Sequence, residues 1–284
     1  MPEVWTKHIA PEDEDLWETR LEVLAEGKFA VAHVVGKQRL KIQVFAKTIE
    51  EALDLKQRFG GRVETLPDQN WVALSQTDPI LVKVRDRLVV TSVAEPEALQ
   101  AIRDQYPDRV VLTIPAELAF GTGDHETTST CLRMLVDVAS ERCKLGASWQ
   151  LLDLGTGTGV LAIASRWLGA ARALGWENDP MALVVAQKNV RANGLDTHDV
   201  AMDSNDVLAW EPDSAEWDVI CANMFSKILI ATFPKIRRAL KPGGTLIVSG
   251  ILQEQAEETL AAAALAGLEM TLVKQVGKWV TART

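Results

Sequence analysis

Cysteine and histidine are scarce in this chain of 284 residues, which has three cysteines and four histidines. The three cysteines, Cys131, Cys143 and Cys221, are widely spaced, and the sequence contains no CxxC pair. An odd number of scattered thiols argues against a disulfide framework, and scattered histidines argue against a zinc site. We therefore expect no metal in this protein.

Long apolar runs and an excess of basic charge are also lacking. No stretch approaches the ~18 consecutive apolar residues of a membrane span, and the start at Met1 to Trp5 has neither the basic residues nor the apolar run of a signal peptide. Lys and Arg number 30 against 39 Asp and Glu, which gives a net charge of -9. A general nucleic-acid binder needs a basic face for phosphates. We expect a cytoplasmic monomer that binds neither membranes nor nucleic acid directly.

The composition that is present, 47% hydrophobic and 24% charged residues, is that of a globular protein with a full core. At about 100–200 residues per domain, the length predicts two domains. Residues 1–66 show the order β-α-β-β-α-β, which is typical of a small α+β ferredoxin-like domain. We interpret it as a substrate-recognition domain, followed by a linker over residues 67–80 and a larger domain over residues 81–284.

In the larger domain, strand and helix patterns alternate. This alternation predicts the α/β class, with a doubly wound, mostly parallel sheet that is covered by helices on both faces. Its predicted strands cover residues 110–114, 149–154, 173–177, 217–222 and 245–250, and a further strand region begins at residue 269. Leu240 to Gly244 are predicted to form a helix-ending turn before the fifth of these strands.

The strongest local motif is LLDLGTGTG at residues 151–159, where an apolar strand leads through glycines into a helix. A dinucleotide fingerprint would need glycine at the position of Val160. An acidic residue, Asp153, two positions before GxGxG is instead the pattern of S-adenosylmethionine sites. The motif therefore predicts a cofactor site that includes Asp153, Gly155 and Gly157. The alternative is a tight structural turn.

Two further carboxylates fit such a site. Glu177 ends the next predicted strand, about 20 residues after the glycines, where a doubly wound fold holds a ribose. The alternative for Glu177 is a solvated charge. Asp203 could accept a hydrogen bond from the adenine amino group; Asp206 is nearby, and the sequence does not separate the two. A solvated loop carboxylate is the competing interpretation of Asp203.

Two segments give a more specific resemblance. Residues 118–128 read LAFGTGDHETT and residues 218–224 read DVICANM. With the glycine motif and the turn at residues 240–244, they make the chain from about Trp71 onwards resemble the ribosomal protein L11 methyltransferase family, and the preceding module fits that family's N-terminal substrate-binding domain. The first segment is similar to the family's AFGTGxHxTT, which wraps the methionine end of the cofactor.

This resemblance implies a protein N-methyltransferase that uses S-adenosylmethionine. It implies that Thr128 contacts the cofactor and that Asn223, the catalytic residue, lies beside both the cofactor and the transferred methyl. Alternatively, Thr127 or Thr128 caps the helix that they open, and Asn223 caps the helix that follows it. For His125, a role in ordering its own loop is favoured over that of a base.

The resemblance also suggests the substrate. Related nucleic-acid methyltransferases place an aromatic residue three positions after the asparagine, where this chain has Ser226, so an aliphatic amine is favoured over a nucleobase. The implied substrates are lysine ε-amines and the N-terminal α-amine of ribosomal protein L11. The alternatives are a lysine methyltransferase for another protein, such as an electron-transfer flavoprotein subunit, and a catalytically silent protein that binds S-adenosylmethionine.

Two features depart from the family pattern. Glu177 replaces the usual aspartate, which lengthens the side chain by one methylene but keeps both acceptor oxygens. Residues 114–117, with the sequence IPAE, differ from the family's DPG before the AFGTG segment.

Overall fold

The computed structural model describes residues 3–10, 13, 17, 20–21, 29–33, 40–46, 48–65, 79–115, 121–146 and 148–284. The chain divides into two compact units, residues 1–76 and 77–284. The first helix of the predicted β-α-β-β-α-β order, expected between residues 11 and 24, and the predicted linker lie almost entirely outside the described residues. Residues 118–120 of the segment LAFGTGDHETT also lie outside them.

The first unit contains a four-stranded antiparallel sheet in the order β2-β3-β1-β4 and a helix α1. Their bounds are β1 Glu3–Ile9, β2 Phe29–His33, β3 Leu40–Ala46, α1 Ile49–Phe59 and β4 Arg62–Thr65. This strand order is the one expected of the ferredoxin-like split unit. Thr48 caps α1 by accepting the Glu51 N–H at 3.3 Å, and Gly60 ends it with a φ of 72°.

A small three-stranded sheet begins the second unit. It consists of β5 (Leu81–Val84), β6 (Leu88–Thr91) and β7 (Val110–Thr113), with α2 (Pro96–Gln105) between the last two strands. β7 was predicted as part of the main alternation, and this was wrong. β7 pairs in parallel with β6 instead, because the connection through α2 returns it to that strand.

The central sheet of the second unit has seven strands in the order β10-β9-β8-β11-β12-β14-β13. The first five are parallel, and β14 runs antiparallel to both of its neighbours. Their bounds are β8 Gln150–Leu154, β9 Arg172–Glu177, β10 Val200–Ser204, β11 Trp217–Asn223, β12 Leu240–Leu252, β13 Leu272–Val276 and β14 Trp279–Arg283. The doubly wound, mostly parallel sheet is confirmed.

Helices cover both faces of this sheet: α3 Glu126–Lys144, α4 Val160–Trp167, α5 Pro180–Ala192, α6 Ser226–Ala239 and α7 Ala256–Leu265. Because side chains alternate along a strand, each strand supplies two cores. Leu151 and Val219 pack on the side of α3 and α4, and Leu152 and Ile220 pack on the side of α6 and α7. Two strand predictions needed correction. β10 was not predicted, and β12 includes residues 241–244, where a register shift against β11 accommodates the glycines.

Among the helices that the structure describes, none is long and apolar enough to cross a membrane. All three cysteines are free. Within the described residues, no group of three or more His, Cys, Asp or Glu side chains is arranged to hold a metal ion.

Candidate active site at the switch point of the sheet

The chain reverses its direction of winding between β8 and β11, the two neighbouring strands at the centre of the sheet. From β8 the chain proceeds outwards through β9 to β10, and it then returns to place β11 on the opposite side of β8. Such a switch point leaves a crevice beyond the carboxyl ends of the strands, where ligands of open α/β sheets bind. The glycine motif follows β8, and Asn223 is the last residue of β11.

A cleft opens at this edge of the sheet, with a volume of about 90 Å³. The cleft is formed by residues at or beyond the ends of β8, β9, β10 and β11: Gly155, Trp176, Glu177, Asn178, Asn205, Asp206, Val207, Leu208, Met224 and Ile228.

The glycine turn between β8 and α4 needs residues without a Cβ. Gly155, Gly157 and Gly159 have φ angles of 67°, 55° and 82°, in the left-handed region that disfavours other residues. A Cβ on Gly155 would lie 3.1 Å from Cγ of Met224. The turn is tied to β9 by the Thr156 N–H, which donates to the Trp176 carbonyl at 2.9 Å. The backbone is thereby held close against the cleft.

Glu177 uses both carboxylate oxygens to organise this region. Oε2 accepts the Gly157 N–H at 2.9 Å, and Oε1 accepts the N–H groups of Asn178 and Asp179 at 3.0 and 3.1 Å. The carboxylate therefore joins the glycine turn to the start of α5. Each oxygen of an ionised carboxylate has about two lone-pair sites, so acceptor capacity remains for a ligand in the cleft.

Asp153 is buried behind the turn and does not line the cleft. It is 1% exposed, and its Oδ2 accepts the Thr156 hydroxyl at 2.6 Å. Burial, which outweighs the opposing hydrogen bond from Thr156, raises the pKa of the Asp153 carboxyl to about 7. Its contact with Thr156 makes Asp153 a support of the turn.

Asn223 and the start of α3 form a polar cluster at the same edge. The amide Nδ2 of Asn223 donates to the hydroxyl oxygens of Thr127 and Thr128, each at 3.4 Å. Both threonines are 1% exposed. Because the amide nitrogen is directed to these hydroxyls, the carbonyl Oδ1 remains as the acceptor of Asn223, and no hydrogen bond to it is made within the described residues.

His125 is the N-cap of α3. From the sequence we expected His125 to order its own loop, but we did not assign the cap to it. Its Nδ1 accepts the Thr127 N–H at 3.3 Å and lies 2.7 Å from the Thr127 hydroxyl. An accepting Nδ1 requires a neutral ring with its proton on Nε2, and burial favours that form by lowering the pKa of His125. Hydrogen bonds can then run from Asn223 through the Thr127 hydroxyl to His125. Neither Thr127 nor Thr128 caps α3, and Asn223 does not cap α6, whose N-cap is Phe225.

The structure distinguishes the two carboxylates that the sequence left open. Asp206 lines the cleft, whereas Asp203 has an exposed side chain at the end of β10 and is not among the lining residues. Four residues at this edge were not singled out by sequence reasoning: Trp176, Asn205, Met224 and Gly250. Of these four, only Trp176 could have been recognised from the sequence. It precedes Glu177 at the end of a predicted strand, where an aromatic residue can lie against an adenine.

A comparison of the sequence with models of protein families assigns this chain to a family. The family model described as "Ribosomal protein L11 methyltransferase" matches residues 4–284. The chain belongs to this family. It is 36% identical over 241 residues to the ribosomal protein L11 methyltransferase of Chloroflexus aurantiacus. This alignment covers 77% of the present chain and 70% of the relative. With that of Dechloromonas aromatica it shares 37% identity over 201 residues, 70% of this chain and 60% of the relative.

A solved structure agrees with this assignment. The crystal structure of a ribosomal protein L11 methylase from Lactobacillus delbrueckii subsp. bulgaricus matches with a TM-score of 0.53 and 28% identity, over 62% of this chain and 85% of that one. The chain is thus a methyltransferase that uses S-adenosylmethionine. The cleft fits this cofactor, since it combines a glycine turn open to a ligand with carboxylates for hydroxyl and amino groups.

Proposed function

We propose that this chain transfers methyl groups from S-adenosylmethionine to lysine ε-amines and the N-terminal α-amine of ribosomal protein L11, as a cytoplasmic monomer. The observation that carries the proposal is the position of Asn223, at the switch point beside the glycine turn, with its amide nitrogen bonded to Thr127 and Thr128. The names of the relatives support the choice of substrate.

The cofactor-binding residues follow from their places around the cleft. We assign the ribose hydroxyls to Glu177 and the adenine amino group to Asp206, which lines the cleft, in preference to Asp203. Gly155 and Gly157 would let the cofactor approach the backbone, and Asp153 would hold their turn through Thr156. Thr128 would contact the methionine end of the cofactor. When bound, S-adenosylmethionine supplies a methyl group already activated on its sulfonium.

The protein's task is then to present a neutral amine. Oδ1 of Asn223 can accept a hydrogen from the amine and so direct its lone pair, and holding the reactants in line can contribute ~7–11 kcal/mol. Because lysine has an unperturbed pKa near ~10.4, a proton must first leave it. We assign this step to water, since the half-buried, capping His125 already uses its Nδ1 within α3. Ser226 is buried at the start of α6 and offers no ring for stacking a base.

Calorimetry with S-adenosylmethionine, followed by mass spectrometry of purified L11, tests this function. We expect binding of the cofactor and stepwise addition of methyl groups to L11. Methylation of another protein in place of L11 would contradict the substrate, and binding without any transfer would indicate a silent cofactor-binding protein.

A further inference from the structure

Phe225 combines two features that folding does not explain. Its side chain is 72% exposed, and it occupies the N-cap of α6, where no side chain caps the helix. N-cap positions favour Ser, Thr, Asp and Asn, whose oxygen accepts an N–H of the first turn. The exposed ring also gives up the favourable free energy that burial of its apolar surface would contribute. Local rules of this kind are broken mainly at functional sites.

Phe225 lies two residues after Asn223 in a segment that stays extended. The chain continues extended beyond β11: the Met224 N–H donates to the Ser249 carbonyl at 3.0 Å, and Phe225 has φ -60° and ψ 147°. Alternate side chains of an extended segment face the same side. Met224 lines the cofactor cleft. From this alternation we expect Phe225 on the other side of the segment, with Asn223, which meets Thr127 there.

The two residues are close enough in the chain to contact one lysine side chain. In an extended segment, the Cα atoms of residues two apart are separated by about 6.6 Å, a distance comparable to the length of lysine's four-carbon stem. Lysine packs its methylene stem along apolar surfaces, and an exposed aromatic ring offers such a surface. We infer that Phe225 packs against the stem of a substrate lysine while Asn223 holds its amine. Phe225 thereby sets a preference for lysine over the N-terminal α-amine, which has no such stem. This inference rests on the proposed function.

The direct test is Phe225→Ala, assayed on purified L11 with mass spectrometry that separates lysine from α-amine methylation. We expect kcat/KM for lysine to fall about three- to tenfold, with α-amine methylation and the Kd of S-adenosylmethionine unchanged. Trp167→Ala is the matched control, because Trp167 is also exposed but ends α4 at the opposite edge of the sheet. Equal losses for both kinds of amine, or no loss, would overturn the inference.

A second variant separates recognition from folding. Phe225→Asn supplies a preferred N-cap residue, so we expect Tm to rise by about 2–4 °C while lysine methylation falls as in Phe225→Ala. Phe225→Trp should retain the preference for lysine. A lower Tm for Phe225→Asn would mean that the ring serves packing and would overturn the inference. A wild-type chain that methylates no amine of L11 overturns the proposed function, and this inference with it.

Discussion

The Gly157 N–H donates a 2.9 Å hydrogen bond to Oε2 of Glu177 and so joins the glycine turn after β8 to the end of β9. The same carboxylate accepts two N–H groups at the start of α5. The side chain assigned to the ribose therefore also shapes the turn that the cofactor lies against. Removing it would affect the cofactor twice, through a lost acceptor and through a loosened turn.

Replacing Glu177 by alanine should weaken binding of S-adenosylmethionine by about 10- to 100-fold, because hydrogen bonds to a charged group contribute about 1.5–3 kcal/mol. Calorimetry measures this change. Glu258→Ala, at an exposed position near the start of α7, is the control and should leave the Kd unchanged. Unaltered affinity in a folded Glu177→Ala protein would show that the ribose lies elsewhere.

Asn223→Ala should reduce kcat by about 100-fold, as loss of a single well-placed polar group in an active site does. The Kd of S-adenosylmethionine should change little, because the amide is assigned to the amine. Steady-state kinetics on L11 and calorimetry measure the two quantities separately. Equal losses of turnover and of cofactor affinity would assign Asn223 to cofactor binding alone.

Gly250→Ala should lower kcat although Gly250 touches no assigned ligand. Gly250 has a φ of 81°, and a Cβ there would lie 2.7 Å from the Met224 carbonyl oxygen, so the backbone between Asn223 and Phe225 must move. Gly243→Ala is the matched control. It has a similar φ of 71°, but no atom lies within 4 Å of its added Cβ. We expect similar backbone strain in both variants, seen as a lower Tm, and loss of turnover only in Gly250→Ala.

His125 should make the stability of the protein depend on pH. Burial lowers its pKa from 6.5 in the folded state, so the unfolded chain takes up a proton first as the pH falls. The stability associated with the neutral ring is therefore present above pH 6.5 and is lost as the pH falls through the folded pKa. His125→Asn keeps a capping acceptor without this titration. The difference in Tm between wild type and variant should change across this range; a constant difference would contradict the role of the neutral ring.

Asp206→Asn and Asp203→Asn form a matched pair that tests the assignment to adenine. Only Asp206 lines the cleft, and its Oδ1 accepts the Leu208 N–H at 2.8 Å, which orders the loop. We expect Asp206→Asn to weaken cofactor binding several-fold, by about 1 kcal/mol, and Asp203→Asn to leave it unchanged. If Asp203→Asn weakened cofactor binding and Asp206→Asn did not, the adenine amino group would be assigned to Asp203.

Much of the second unit could be predicted from the sequence because its signals are local. An apolar strand, a glycine turn and a helix start follow one another at residues 151–160, and the structure has β8, three glycines with positive φ and α4 there. The same holds for the strand that ends at Glu177. His125 was predicted to order its own loop, and it caps α3 two residues before the N–H that it accepts.

Other features depended on residues that are distant in the chain. β7 was predicted in the central sheet, but it pairs in parallel with β6 in the small sheet. β10 was not predicted, because it is a short edge strand with a weak pattern of apolar residues. Asp203 and Asp206 look alike in sequence, and only the path of the loop decides which carboxylate lines the cleft.

The sequence by itself determined most of the strand-and-helix order, the backbone freedom of the glycine turn and the chemical types of the site residues, since each depends on near neighbours. Only the tertiary structure decided that Asn223 meets Thr127 across 96 residues of chain and that Gly250 abuts Met224. Such contacts follow from which strands lie side by side, and hydrophobic burial over the whole sheet fixes that choice.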